Sequence, residues 1–146
     1  MNKDFAELNI YTDGASRGNP GDAAWGYLIL DENNQVVTEE SGYIGRSTNN
    51  QAEYFAAVRA LQRASELTEE KVNLYSDSQL LIKQVTGRWK VKDPELYRLY
   101  SRVKALAEEF REVTFHHLPR ENSFIARADQ SCNDRLDEIQ TYSERF

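Results

Sequence analysis

The sequence predicts an α/β fold: a five-stranded mixed sheet, three antiparallel strands followed by parallel ones, with helices on both faces. Three observations predict it. The N-terminal third reads as three strand-like runs separated by polar turns. Ile10-Tyr11-Thr12-Asp13 and Leu74-Tyr75-Ser76-Asp77 then repeat one pattern, a strand ending in an acid, and the helix-length segment between them is the crossover that joins parallel neighbours. The remaining segments carry apolar residues at steps of three and four, the helical period.

The elements follow in order. Glu7 to Thr12 alternates, with Leu8 and Ile10 on one face, and reads as a strand. It delivers Asp13 into a turn-rich segment holding Gly14, Gly18, Asn19, Pro20 and Gly21, read as a loop that lets a large ligand approach. Ala23 to Leu30 and Val36 to Ile44 are the next strands, joined by the polar turn Asp31-Glu32-Asn33-Asn34, with Gly42 placed at a bulge. Thr48 and Gln51 fit a capping box, so a helix starts there and runs to about Glu66, with Ala57, Ala60, Leu61 and Ala64 facing the core. Lys71 to Ser76 is the fourth strand. A short helix runs from Gln79 to about Thr86 and is closed by Gly87. Asp93 and Pro94 open a third helix with Leu96, Leu99, Tyr100, Val103, Leu106 and Phe110 on one stripe. Val113 to Leu118 is the fifth strand, Pro119 to Ser123 a loop, and a final helix spans about Ala126 to Glu138. The polar tail from Gln140 is expected to fray.

The 146 residues fit one domain, 1–146, with its core at about 7–139. No apolar run approaches the roughly 20 residues of a membrane span. Met-Asn-Lys-Asp-Phe-Ala-Glu lacks the apolar stretch of a secretion signal. The single cysteine, Cys132, excludes an internal disulfide framework and fits a reducing cytoplasm. A net charge of −6 argues against nonspecific nucleic-acid binding, unless the excess acids hold metal.

Asp13, Glu53, Asp77 and Asp129 are such acids. Two end strands, and two sit near helix starts on core-facing stripes, where a carboxylate is costly unless paired or metal-bound. Converging, they would hold Mg²⁺, which takes carboxylates, waters and phosphate oxygens. Two such ions roughly 3.5–4 Å apart support in-line phosphoryl transfer. Each acid also has a plainer reading: Asp13 as a turn residue, Asp77 as a helix N-cap, Glu53 and Asp129 as partners of a positive helix end. His116 and His117, adjacent in a strand, face opposite sides and read as structural, and the lone cysteine lies in a helix, so nothing forms a zinc site. Gly14 to Gly21 lacks the Gly-Lys-Ser/Thr ending of a P-loop.

The segments YTDGASRGNPG, TNNQAEYFA, LYSDSQLLI with GRWKVKDPEL, and ADQSCNDRLD resemble type 1 ribonuclease H, in the family's order, over roughly residues 8 to 137. The resemblance implies a ribonuclease H-like fold. It implies a monomeric endoribonuclease that cuts the RNA strand of RNA/DNA hybrids with Mg²⁺ or Mn²⁺, two ions per site with substrate. The products would be 3′-hydroxyl and 5′-phosphate ends, with little sequence specificity. It assigns metal binding to Asp13, Glu53, Asp77 and Asp129, hybrid contacts near the cut to Asn19, Asn50 and Gln79, and a DNA-phosphate pocket to Arg46 and Thr48. Double-stranded RNA is a further partner to consider, and no membrane is.

Two departures from the family pattern stand out. Relatives carry a longer basic protrusion where this chain has only Arg88-Trp89-Lys90-Val91-Lys92. Trp89, Lys90 and Lys92 are read as gripping the backbone and stacking on a sugar or base. Many relatives also place a histidine in the loop before the last helix, where this chain has none between Pro119 and Arg127. Arg120 is the candidate substitute. Two rival functions are a non-catalytic module that binds hybrid or double-stranded RNA, and a DNA nuclease of the same fold.

Overall fold

The computed structural model describes residues 5–145. Residues 1–4, part of the N-terminal stretch read above, and residue 146, the end of the tail, lie outside them. The elements are β1 (Glu7–Gly18), β2 (Gly21–Asp31), β3 (Val36–Ser47), α1 (Asn49–Ser65), β4 (Lys71–Ser76), α2 (Gln79–Val85), α3 (Pro94–Ala107), β5 (Glu112–His117) and α4 (Ser123–Arg145). They follow the predicted order. The sheet runs β3-β2-β1-β4-β5. β1 pairs antiparallel with β2, and β2 with β3, whereas β4 lies parallel to both β1 and β5.

Strand alternation divides the core. Leu8, Ile10, Val72 and Leu74 pack with Tyr54, Leu61, Leu81, Leu99 and Val103 of α1, α2 and α3. Tyr11, Leu28 and Leu30 face the other way, onto Ile125 of α4, and Ala24 meets Cys132 and Leu136 of the same helix. Helices therefore cover both faces. Each fully buried aliphatic such as Leu61 or Leu74 contributes about 1.5–3 kcal/mol.

The structure corrects several boundaries. Residues 14–18, read as loop, continue β1, because β2 pairs with them as far as Gly18 opposite Gly21. The turn is thus confined to Asn19 and Pro20. The irregularities in β3 lie at Ile44, skipped between the Ala23–Gly45 and Ala24–Tyr43 pairs, and at Val37, skipped between Ile29–Thr38 and Leu30–Val36, and not at Gly42. Gly42 instead makes room for Trp25, whose ring would stand 2.5 Å from any added Cβ. α4 starts earlier than its apolar stripe predicts, because the Asn122 carboxamide caps the Phe124 and Ile125 N–H groups at 3.0 and 3.2 Å. It also continues through the tail expected to fray. Arg17 of β1 pairs with Asp137 at 2.6 Å and reaches Gln140, which bonds Glu144 one turn on.

Candidate active site

Parallel pairing brings the first two acids together. Thr12 lies opposite Ser76 in the β1–β4 register, so Asp13 and Asp77 are the next residues of adjacent strands. Glu53 arrives from the second turn of α1. That helix comes unusually close to β1: a Cβ on Gly14 would stand 2.2 Å from the Ala52 carbonyl. The same approach lets the Gly14 N–H donate to Glu53 Oε1 at 2.8 Å. Carboxylate oxygens of Asp13, Glu53 and Asp77 lie within 4.8 Å of one another. Asp129 of α4 stands within hydrogen-bonding reach of the Asp13 carboxyl, and Asn133 steadies it by donating to its Oδ2 at 3.2 Å.

The plainer readings of these acids do not hold. Asp13 lies within a strand, not a turn. Ser78, not Asp77, caps α2, its hydroxyl accepting from the Leu81 N–H at 3.1 Å. Asp129 sits in the second turn of α4, since the helix begins at Ser123. Glu53 is spent on Gly14 rather than on its own helix end.

Packing these carboxyls together perturbs them. Burial, and then the Glu53 charge, pushes Asp13 up to about 11. Burial and the nearby Asp77 also raise Glu53 well above the usual carboxylate range, against the pull of the Gly14 N–H. Burial raises the Cys132 thiol as well, so it stays protonated and donates to the Asp13 carbonyl at 3.2 Å.

The donor set fits a hard divalent cation. It consists of carboxylate oxygens, and Asp77 Oδ1 is buried with no hydrogen-bond partner. A buried, unpaired carboxylate oxygen is expensive, and a cation beside it removes the penalty.

Around the acids opens a cleft of about 590 Å³. Asn50, Gln79 and Arg120 line it together with Asp13, Glu53, Asp77 and Asp129. Asn19 does not line it but holds its rim, accepting from the Asn49 N–H at 3.0 Å through its carboxamide oxygen. Arg46 and Thr48 sit at the β3–α1 junction, outside the cleft lining, and the Thr48 hydroxyl accepts from the Gln51 N–H as the helix cap. Trp89, Lys90 and Lys92 are exposed and lie apart from the cleft, beyond α2. Gln84 anchors this segment: it accepts from Tyr54 at 2.6 Å and donates to the Lys90 carbonyl at 3.2 Å. One face of Trp89 is covered by the Lys83 ammonium, 4.8 Å from the ring centroid, which leaves a single face for stacking.

His117, expected from its strand position to be structural, also lines the cleft. It ends β5 directly opposite Ser76, one residue short of Asp77. Only the parallel register reveals this.

The family model described as reverse transcriptase-like matches residues 11–130. Ribonuclease H of Chlorobaculum parvum is 35% identical over 90% of this chain and 91% of its own length. The chain belongs to the type 1 ribonuclease H family. Ribonuclease HI of Halobacterium salinarum is 42% identical over 90% of this chain, which spans 65% of that relative's length. The solved structure of LC11 ribonuclease H1 in complex with an RNA/DNA hybrid is 38% identical and superposes with a TM-score of 0.85, over 91% of this chain and 99% of that one. Among the described residues, no helix is long and apolar enough to cross a membrane.

Proposed function

We propose that this chain is a monomeric, metal-dependent endonuclease that hydrolyses the RNA strand of RNA/DNA hybrids, acting in the cytoplasm. The observation that carries the reading is the trio of carboxylates within 4.8 Å, with an unpartnered Asp77 oxygen, at the floor of an open cleft. Asp13, Glu53, Asp77 and Asp129 hold two divalent ions, Mg²⁺ first and Mn²⁺ as a substitute. Bound there, such ions supply charge stabilisation at phosphorus and a more acidic attacking water. The bond that forms joins a water oxygen to phosphorus and the bond that breaks is P–O3′, so the products carry 5′-phosphate and 3′-hydroxyl ends.

The remaining residues bind and orient. Asn50 and Gln79 flank the acids and suit the 2′-hydroxyl, the group that distinguishes RNA from DNA. Asn19 positions the start of α1 through Asn49. Arg46 and the Thr48 hydroxyl proton, left over after capping, take a phosphate of the DNA strand. Lys90 and Lys92 add charge along the backbone, and the outer face of Trp89 stacks. Arg120, exposed on the cleft wall, steadies the new 5′-phosphate. Contacts of this kind read shape and sugar, not base sequence.

The test compares labelled hybrid, duplex RNA and duplex DNA, each with Mg²⁺ and with chelator. Metal-dependent cleavage of the RNA strand of the hybrid, with duplex DNA untouched, is expected. Binding without cleavage would favour a non-catalytic module, and cutting of duplex DNA a different nuclease. The duplex RNA arm decides whether that partner is also a substrate.

A further inference from the structure

A second hollow adjoins the cleft on the far side of Gln79. It holds about 360 Å³ between α2 and β5 and shares Gln79 and His117 with the acid-lined cleft. Lys83, Arg88, Phe115 and His116 also line it, and no carboxylate does. In a chain of net charge −6, a cation-lined, acid-free hollow runs against the background.

Its cations are also unspent. Arg17, Arg63, Arg98, Arg111, Arg127 and Arg135 each pair with a carboxylate. Among the described residues, Lys83 and Arg88 form no such pair. They are nevertheless held in place. The Lys83 ammonium rests over Trp89, a contact that orders the cation without neutralising it. The Arg88 and Trp89 N–H groups both donate to the Lys83 carbonyl, at 2.8 and 3.0 Å, tying both cations to one turn. β5 is the edge strand, so a polyanion leaving the acids over Gln79 and His117 meets this hollow before it clears the sheet.

We infer that the α2–β5 hollow is a backbone track for the cut strand, binding a flanking phosphate of the RNA through Lys83 and Arg88. The inference rests on the hydrolytic reading above, because only a strand crossing the acids reaches the hollow by this route. A lysine offers a point charge and an arginine a forked donor, and both recognise phosphate whatever the base. Phe115 and His116 line the track with these cations, whereas Lys90 and Lys92 do not.

The test uses Lys83→Gln with Arg88→Gln, and Arg88→Gln alone. Arg88 is exposed and makes no ion pair, so the single variant leaves the fold intact. Hybrid binding is read by fluorescence anisotropy across a salt series, in an Asp13→Asn background that cannot cut. Steady-state cleavage is read with all acids present. Hybrids are trimmed stepwise from either RNA end. Loss of two phosphate contacts should flatten the slope of log K against log salt by about 1.5, and that of one by about 0.8. KM should rise about 3- to 10-fold for the double variant while kcat stays unchanged. Trimming one RNA end should erase the difference and trimming the other should preserve it. An unchanged slope, a kcat loss without a KM change, or a difference that survives trimming at both ends would overturn the inference. Failure of the unsubstituted chain to cleave hybrid would instead strike the hydrolytic reading, and the binding slopes would still be readable.

Discussion

Replacing Asp13 with Asn should stabilise the metal-free protein while abolishing hydrolysis. Asp13 and Glu53 are only 4% and 5% exposed, and with Asp77 their oxygens lie within 4.8 Å. Two full charges at that distance repel by roughly 3–4 kcal/mol at an effective dielectric near 20. The protein escapes part of this by holding protons, since burial and Glu53 push Asp13 up to about 11. The gain from Asn is therefore smaller, about 1–3 kcal/mol, or about 3–10 °C in Tm for a domain of this size. Its pH dependence has a definite sign. The folded carboxyl keeps its proton far above the unfolded value of about 4, so unfolding releases protons through the neutral range. The metal-free wild type accordingly loses stability as pH rises from about 4 toward 11, and the Asn variant loses less. Thermal melts in chelator at mildly acidic, neutral and mildly alkaline pH read this directly, and a second set with Mg²⁺ reads the ion. The variant should melt above the wild type in chelator, by a margin that widens with pH, and Mg²⁺ should raise the wild type more than the variant. A variant that melts below the wild type at every pH in chelator would refute the like-charge reasoning, because Asp13 would then be a net stabilising partner.

Three further outcomes follow from other contacts. Gly14→Ala places a Cβ 2.2 Å from the Ala52 carbonyl, so α1 must retreat from β1 and take Glu53 with it; a loss of about 1–3 kcal/mol in urea unfolding, with weaker Mg²⁺ binding by calorimetry, is expected. Gln84→Ala strips the partner from the buried Tyr54 hydroxyl and unpins the Lys90 carbonyl, costing about 1–3 kcal/mol and speeding hydrogen exchange across residues 88–92. Arg120→Ala should lower kcat by about 10-fold or more at unchanged Tm, with partial recovery in Arg120→Lys; full turnover in the alanine variant would remove Arg120 from the mechanism.

Local pattern carried most of the fold and all four acids. Glu53 and Asp129 are legible because helical steps from Ala57 and Cys132 land on them, and the Thr48–Gln51 capping box is visible in four letters. Asp13 and Asp77 are legible because the same apolar–Tyr–hydroxyl–Asp pattern recurs, within β1 and at the end of β4. What escaped depends on partners distant in sequence. The extension of β1 past Asp13 comes from pairing with β2, which the glycines disguised as a loop. The shift at Ile44 is a matter of register, which no single strand encodes. The helical tail is held by Arg17, more than a hundred positions away. His117 enters the cleft only because β5 lies parallel to β4 with Ser76 as its neighbour. The earlier start of α4, by contrast, was readable: Asn122 is a strong N-cap type, masked by the polar run around it.

The central claim is that the carboxylate cluster directs water onto the phosphorus of an RNA strand paired with DNA. Its most direct test is cleavage of an RNA/DNA hybrid in water enriched in heavy oxygen, with mass spectrometry of the fragments and with Asp77→Asn in parallel. The expected result is one heavy oxygen on each new 5′-phosphate, an unlabelled 3′-hydroxyl on the other fragment, no product in chelator, and none from the variant. A 2′,3′-cyclic phosphate, or heavy oxygen on a new 3′-phosphate, would mean that the strand's own hydroxyl attacks or that the other P–O bond breaks, and would contradict the account.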